Sequence, residues 1–140
     1  GNLRGVAFGA SISAGPKFRL FTTGAAKNLR FQVQLASGSG TTLQYGGANL
    51  SDGERFCFVV TFGVGGAMSL RVNGSEIGTA THTWTGSQSW DHFALGMWVR
   101  DGAAVHPYPE TLYELIGYDS VLTGDDLSAL ESELAARSVF

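Results

Sequence analysis

Charge is scarce in this chain: Asp, Glu, Lys and Arg make up 15% of its 140 residues, against roughly 25% in typical soluble domains. A helical bundle needs Lys and Glu on its exposed faces, so the shortage argues against one. It also fits a surface partly buried against a partner, although strand faces rich in Ser and Thr account for it equally. The nine Lys and Arg form no run, and the net charge is −3. Nucleic-acid binding needs a clustered basic surface, so this balance counts against nucleic acid as a partner. Cysteine is nearly absent. Cys57 stands alone, so no intrachain disulfide can form. Its place in the run Phe56-Cys57-Phe58-Val59-Val60 reads as a buried, inert thiol. No apolar stretch reaches the roughly 20 residues that a membrane helix needs, so no membrane partner is expected. The chain starts at Gly1 with neither Met nor a signal pattern, as expected of a processed product or a piece of a longer polypeptide.

What is present is glycine, 20 residues of it, and apolar residues at 44%. At this length one domain, residues 1–140, is the expectation. It can bury roughly two thirds of its unfolded surface without a metal or disulfide. Phe31, Val33 and Leu35 alternate with Gln32, Gln34 and Ala36, and Met68, Leu70 and Val72 alternate with Ser69, Arg71 and Asn73. That period of two marks half-buried strands. Phe18, Leu20 and Thr22 follow the same pattern, as do Phe93, Leu95, Met97 and Val99, and Leu112 to Tyr118 reads as a last strand. The run Phe56 to Phe62 is nearly all apolar, as expected of a central strand covered on both faces. Turn signals separate these runs: Gly38-Ser39-Gly40, Gly46-Gly47, Asp52-Gly53, Gly65-Gly66, Asn73-Gly74 and Asp101-Gly102. Asn-Gly between alternating strands is the strongest short hairpin signal. Strands at this spacing without helices between them predict an antiparallel β-sandwich.

The last 20 residues change period. Thr123 is placed to cap a helix, with Asp125 and Asp126 at its positive end, and Leu122 and Leu127 have the spacing of a hydrophobic staple. Leu127, Leu130 and Leu134 form an apolar stripe, and Glu131, Glu133 and Arg137 are expected to face solvent. So short a helix is unstable alone and should dock its leucines on the sandwich. No internal repeat or linker divides the chain.

The residues Phe58-Val59-Val60-Thr61-Phe62 followed by Ala67-Met68-Ser69-Leu70-Arg71-Val72-Asn73-Gly74 resemble a family hairpin, in which a strand ending near Thr precedes "L-x-V-N-G". The stretch Tyr113-Glu114-Leu115-Ile116-Gly117-Tyr118-Asp119-Ser120-Val121-Leu122-Thr123 resembles the same family's closing strand, "E-x-x-x-Y-(D/N)-x-x-L-(S/T)". The leucine-striped helix matches its usual ending. The family is that of laminin-G-like domains, within the concanavalin A-like lectin and glucanase superfamily. The resemblance covers roughly residues 55–140 and is loose before that. The closing motif is moderately specific, while any antiparallel protein could show the hairpin. What it implies is an all-β antiparallel jelly-roll sandwich with one C-terminal α-helix. Glu114 and Tyr118 testify to fold rather than chemistry, and a fold of this kind hosts many functions.

Glucanase and polysaccharide-lyase relatives make a polysaccharide-active enzyme one reading. Retaining glycosidases need two carboxylates about 5 Å apart, and glucanase relatives carry an "E-x-D-x-x-E" strand that this chain lacks. Nor is there a match to the Arg/Gln/His/Tyr clusters of the lyases. His82, His92 and His106 are isolated, with no zinc spacing. There is no Gly-x-Ser-x-Gly elbow and no phosphate-binding glycine loop. The expectation is a protein that is not an enzyme and needs no cofactor.

A binding reading rests on Trp84, Trp90, Trp98 and Tyr108, which lie in or beside polar segments. Aromatic faces stack on sugars, and Gln88, Asp91, Arg100, Asp101 and His106 can bond hydroxyls. Trp84 and Trp90 read first as caps on the ends of the core. For Trp98, out of phase with Leu95, Met97 and Val99, packing and exposure stand level. Family relatives often hold Ca2+ at the sandwich rim, which makes Asp52, Asp91 and Asp101 candidate ligands. No Asp-rich loop defines a calcium cage, and each fits a turn role better. Two functions follow as expectations. One is a non-catalytic carbohydrate-binding or adhesion module, extracellular or on a virion surface, with a glycan or cell-surface polysaccharide as partner. The other is a structural or assembly domain, such as a virion decoration, fibre or spike component, forming a homo-oligomer or a larger assembly.

Overall fold

The computed structural model describes residues 3–11, 17–23, 28–34, 40–46, 55–63, 65–82, 92–100, 103–105, 111 and 114–137, and for residues 3–11, 92, 98–100 and 103–105 it describes the backbone alone. Ten strands precede one helix. They are β1 (Leu3–Ser11), β2 (Lys17–Thr23), β3 (Leu29–Gln34), β4 (Gly40–Tyr45), β5 (Phe58–Phe62), β6 (Ala67–Val72), β7 (Ser75–Thr81), β8 (His92–Leu95), β9 (Trp98–Arg100) and β10 (Ala103–Val105), followed by α1 (Gly124–Arg137). A five-stranded sheet has the order β4-β3-β2-β1-β8, a three-stranded sheet β5-β6-β7, and β9 pairs with β10. Every pairing is antiparallel.

The alternation explains why these segments are strands. In β3, Leu29, Phe31 and Val33 are buried while Arg30, Gln32 and Gln34 are half-buried. The polar set finds partners across the ladder. Arg19 donates to Gln32 Oε1 from Nε (3.0 Å) and Nη2 (2.8 Å), and Arg30 donates to Gln44. Each pair stands directly opposite in register, where cross-strand pairs stabilise a sheet. Met68, Leu70 and Val72 form the buried side of β6. They join Phe18, Leu20, Leu29, Phe31 and Val33 in one cluster, and the Phe62 ring lies 4.5 Å from that of Phe18 and 6.0 Å from that of Phe31. Burying each such side chain is worth about 1.5–3 kcal/mol. At the margin of the sheets, Thr41 of β4 donates its hydroxyl to the Thr81 carbonyl of β7 at 3.2 Å.

Two connections are dictated by glycine. Asn73 (φ 49°) and Gly74 (φ 79°) form the two-residue turn between Val72 and Ser75, the doubly left-handed geometry that Asn-Gly favours. In the β5–β6 connection, Gly66 has φ 95° and its carbonyl accepts the His82 N–H at 2.6 Å.

Several expectations need correction. Among the described residues the apolar run at Phe56 is not a central strand: β5 starts at Phe58 and is an outer described strand of its sheet, half-buried throughout, with β6 central. Its run is continuous because Phe58, Val60 and Phe62 pack on the core while Val59 and Thr61 lie on the other face. Phe93 and Leu95 do not point inward. They are 58% and 46% exposed and Ala94 is the buried residue, since an alternating pattern fixes a period but not which phase meets a partner. Gly96 (φ 67°) also ends β8 before Met97, which is exposed. The segment Glu114–Tyr118 forms no strand and is exposed, with no described strand beside it to complete a hydrogen-bonded ladder; Leu112 and Tyr113 lie outside the described residues. Cys57 is half-buried, not buried.

The helix spans the expected residues, with Asp125 and Asp126 in its first turn and Arg137 in its last. The helix begins immediately after Thr123, at Gly124, whose φ is 57°. Leu127, Leu130 and Leu134 are half-buried, and the one buried helical residue is Glu131, expected to face solvent. Among the described residues no helix is long and apolar enough to cross a membrane.

Candidate functional site

Of the aromatic residues singled out from the sequence, Trp98 alone is among the described residues. Trp98 and Arg100 are the first and last residues of β9, opposite Val105 and Ala103 of β10. This ribbon follows β8 after the bend at Gly96. Trp84, Trp90, Asp91, Asp52, Asp101 and Tyr108 lie outside the described residues, as do Gln88 and His106. The described backbone therefore places Trp98 and Arg100 on one three-residue strand and brings neither together with the other candidates.

What it does place are the anchors of residues 83–91. On one side is His82, buried and held by its backbone bond to Gly66. On the other is His92, which opens β8 opposite Ser11. The first anchor depends on a close approach. A Cβ on Gly66 would run into the His82 carbonyl oxygen and lie 3.1 Å from Thr81 Cγ2. Glycine is required there by space as well as by φ.

A second group was not anticipated. Arg71 donates from Nε to Glu131 Oε1 at 2.7 Å and from Nη2 to Glu131 Oε2 at 3.0 Å, a two-bond guanidinium–carboxylate pair. Nη2 also donates to the Gly74 carbonyl at 2.6 Å. The Asn73 side chain accepts the Cys57 N–H at 2.8 Å, while the Asn73 N–H donates to the Cys57 carbonyl at 2.9 Å. The hairpin tip thus ties together the start of β5, the end of β6 and α1. Hydrogen bonding to Glu131 raises the Arg71 pKa above its ordinary value, with burial opposing. Burial first, and the Glu131 charge second, push the Cys57 thiol upward. At the far end of α1, Arg137 bridges Glu133 and Glu114, the latter at 3.0 Å.

The signal for Glu131 was in the sequence. It follows Leu127 by four residues and precedes Leu134 by three, spacings that share a helix face. Reading the acid as a solvent residue because of its charge hid this. Among the described residues no three of His, Cys, Asp and Glu are grouped to hold a metal ion. Asp52, Asp91 and Asp101, the candidate Ca2+ ligands, are not among them.

Comparison with protein-family models, with curated proteins and with solved structures finds no match to this chain.

Proposed function

We propose that this chain is a sandwich domain of the concanavalin A-like, laminin-G-like kind that binds glycan without cleaving it, on an extracellular or virion surface. The observation that carries the reading is the β9–β10 ribbon. Trp98 and Arg100 stand two positions apart on β9, a spacing that returns to the same strand face. A tryptophan offers a ring for the apolar side of a sugar, and an arginine offers only donors, suited to hydroxyl oxygens. The jelly-roll form is supported by two antiparallel sheets contributing to one apolar cluster and by the laminin-G-like hairpin, which β5 and β6 form.

The test is affinity electrophoresis and glycan-array binding of the chain and of Trp98→Ala and Trp90→Ala, with EDTA in a parallel series. Loss of a stacking ring should cost about 1–3 kcal/mol, by analogy with bases stacked on aromatic side chains. Thermal stability of Trp98→Ala should hold, and EDTA should change nothing. Glycan binding undiminished in Trp98→Ala, or none by the unaltered chain, overturns the reading.

A second reading is an assembly domain forming a homo-oligomer or larger particle. The exposed Phe93 and Leu95 favour it, because β8 is the outermost described strand of its sheet and apolar edge strands invite pairing. Light scattering on the same samples separates the two. An oligomer with no glycan retained supports assembly.

A further inference from the structure

The way α1 is attached differs from that of an ordinary surface helix. Such a helix buries an apolar stripe, yet in α1 the leucines are half-buried and the buried residue is an acid, 8% exposed. Its partner Arg71 lies between the core residues Leu70 and Val72 and so on the opposite face of β6. Val59 stands opposite Arg71, and Thr61 opposite Ser69, with their hydroxyls 2.7 Å apart. The helix therefore attaches to the side of the three-stranded sheet that the apolar cluster does not use. Cys57 is tied by its N–H and carbonyl to Asn73, next to the Gly74 carbonyl that Arg71 holds, and the Glu131 charge reaches its thiol. The geometry points to α1 as a releasable clasp, held on the outer face of the β5-β6-β7 sheet by the Arg71–Glu131 pair, whose opening uncovers that face while the rest of the domain stays folded.

Glu131 faces Arg71 from β6 and Cys57 from the approach to β5, and Glu76 of β7 adds its charge to Arg71. Removing one partner of such a pair strands the other's charge in a half-dry site, which costs more than the intact pair contributes. Release into water relieves that cost, so breaking the pair should open the clasp.

Cys57 reports the opening with a sign that cannot be confused. In Arg71→Met the Glu131 carboxylate survives. If α1 stays docked, that carboxylate, whose charge reaches the thiol, is no longer neutralised, thiolate formation is harder, and labelling by a maleimide slows. If α1 leaves, the carboxylate leaves with it, and labelling speeds up, because the thiolate is the nucleophile. We expect an acceleration of about tenfold or more at fixed pH, equivalent to ~1.4 kcal/mol in the docking equilibrium. Amide exchange should show protection lost over Gly124–Arg137 and kept in β2, β3 and β6. Glu131→Gln provides the second variant, read by exchange alone because it also removes the charge near the thiol. Slower or unchanged labelling in Arg71→Met, helix protection intact in both variants, or loss of strand protection together with the helix would each overturn the clasp.

Discussion

Replacing Gly66 by alanine tests how the β5–β6 connection holds the end of β7. Three costs act together. At φ 95° an L-residue gives up about 1–2 kcal/mol. The new Cβ would collide with the His82 carbonyl oxygen, a backbone atom that cannot rotate aside. Moving the two backbones apart would lengthen the 2.6 Å bond from the His82 N–H to the Gly66 carbonyl, worth about 0.5–1.5 kcal/mol. Reduced freedom of the unfolded chain returns about 0.4–1 kcal/mol. The valued terms net about 0.5–3 kcal/mol, and the collision brings the destabilisation to the upper end, about 3 kcal/mol. With an unfolding entropy of about 2.1 cal/mol/K per residue, 3 kcal/mol lowers Tm by about 10 °C. The internal control is Gly65→Ala. Gly65 has φ 97° but nothing within 4 Å of its Cβ position, so only the conformational cost remains, about 1 kcal/mol or ~3 °C. Thermal unfolding followed by circular dichroism measures both. Equal shifts for the two variants would refute the claim that close approach, rather than backbone conformation, makes Gly66 indispensable.

Leu70→Ala removes a wholly buried side chain between the sheets and should cost about 2–5 kcal/mol in urea unfolding; a loss under 1 kcal/mol would mean that the apolar cluster is not where the two sheets hold together. Asn73→Gly keeps the left-handed backbone of the hairpin turn but deletes the acceptor of the Cys57 N–H. About 0.5–1.5 kcal/mol should be lost with the β6–β7 register unchanged by amide exchange, and a slipped register would show that the side chain, not the turn geometry, sets the pairing.

The candidate aromatic residues were legible only as residue types. Trp98 and Arg100 emerge on a shared strand because the alternation around Val99 and the Asp101-Gly102 signal are local properties, which a hairpin expresses directly. The Arg71–Glu131–Cys57 group was not read from the sequence, although its helical spacing was plain. Its members are 60 residues apart in the case of the ion pair, and no local pattern says that a cation on the outer face of β6 will be waiting for an acid on α1. The strand pattern led to a last strand at Leu112–Tyr118 and the resemblance to a closing strand within Tyr113–Thr123, and the described part of that stretch forms none.

The sequence by itself determined what depends on near neighbours. The period of two in β3 and β6, the mirror-image turn at Asn73-Gly74 and the fourteen-residue helix with acids in its first turn all follow from side-chain shape, backbone chirality and hydrogen bonds a few residues long. Only the tertiary structure decided which phase of β8 meets the interior, that β6 rather than β5 is central, and that Glu131 is buried against Arg71. Each of those outcomes is settled by a surface brought from far along the chain, and burial is a property of two surfaces together.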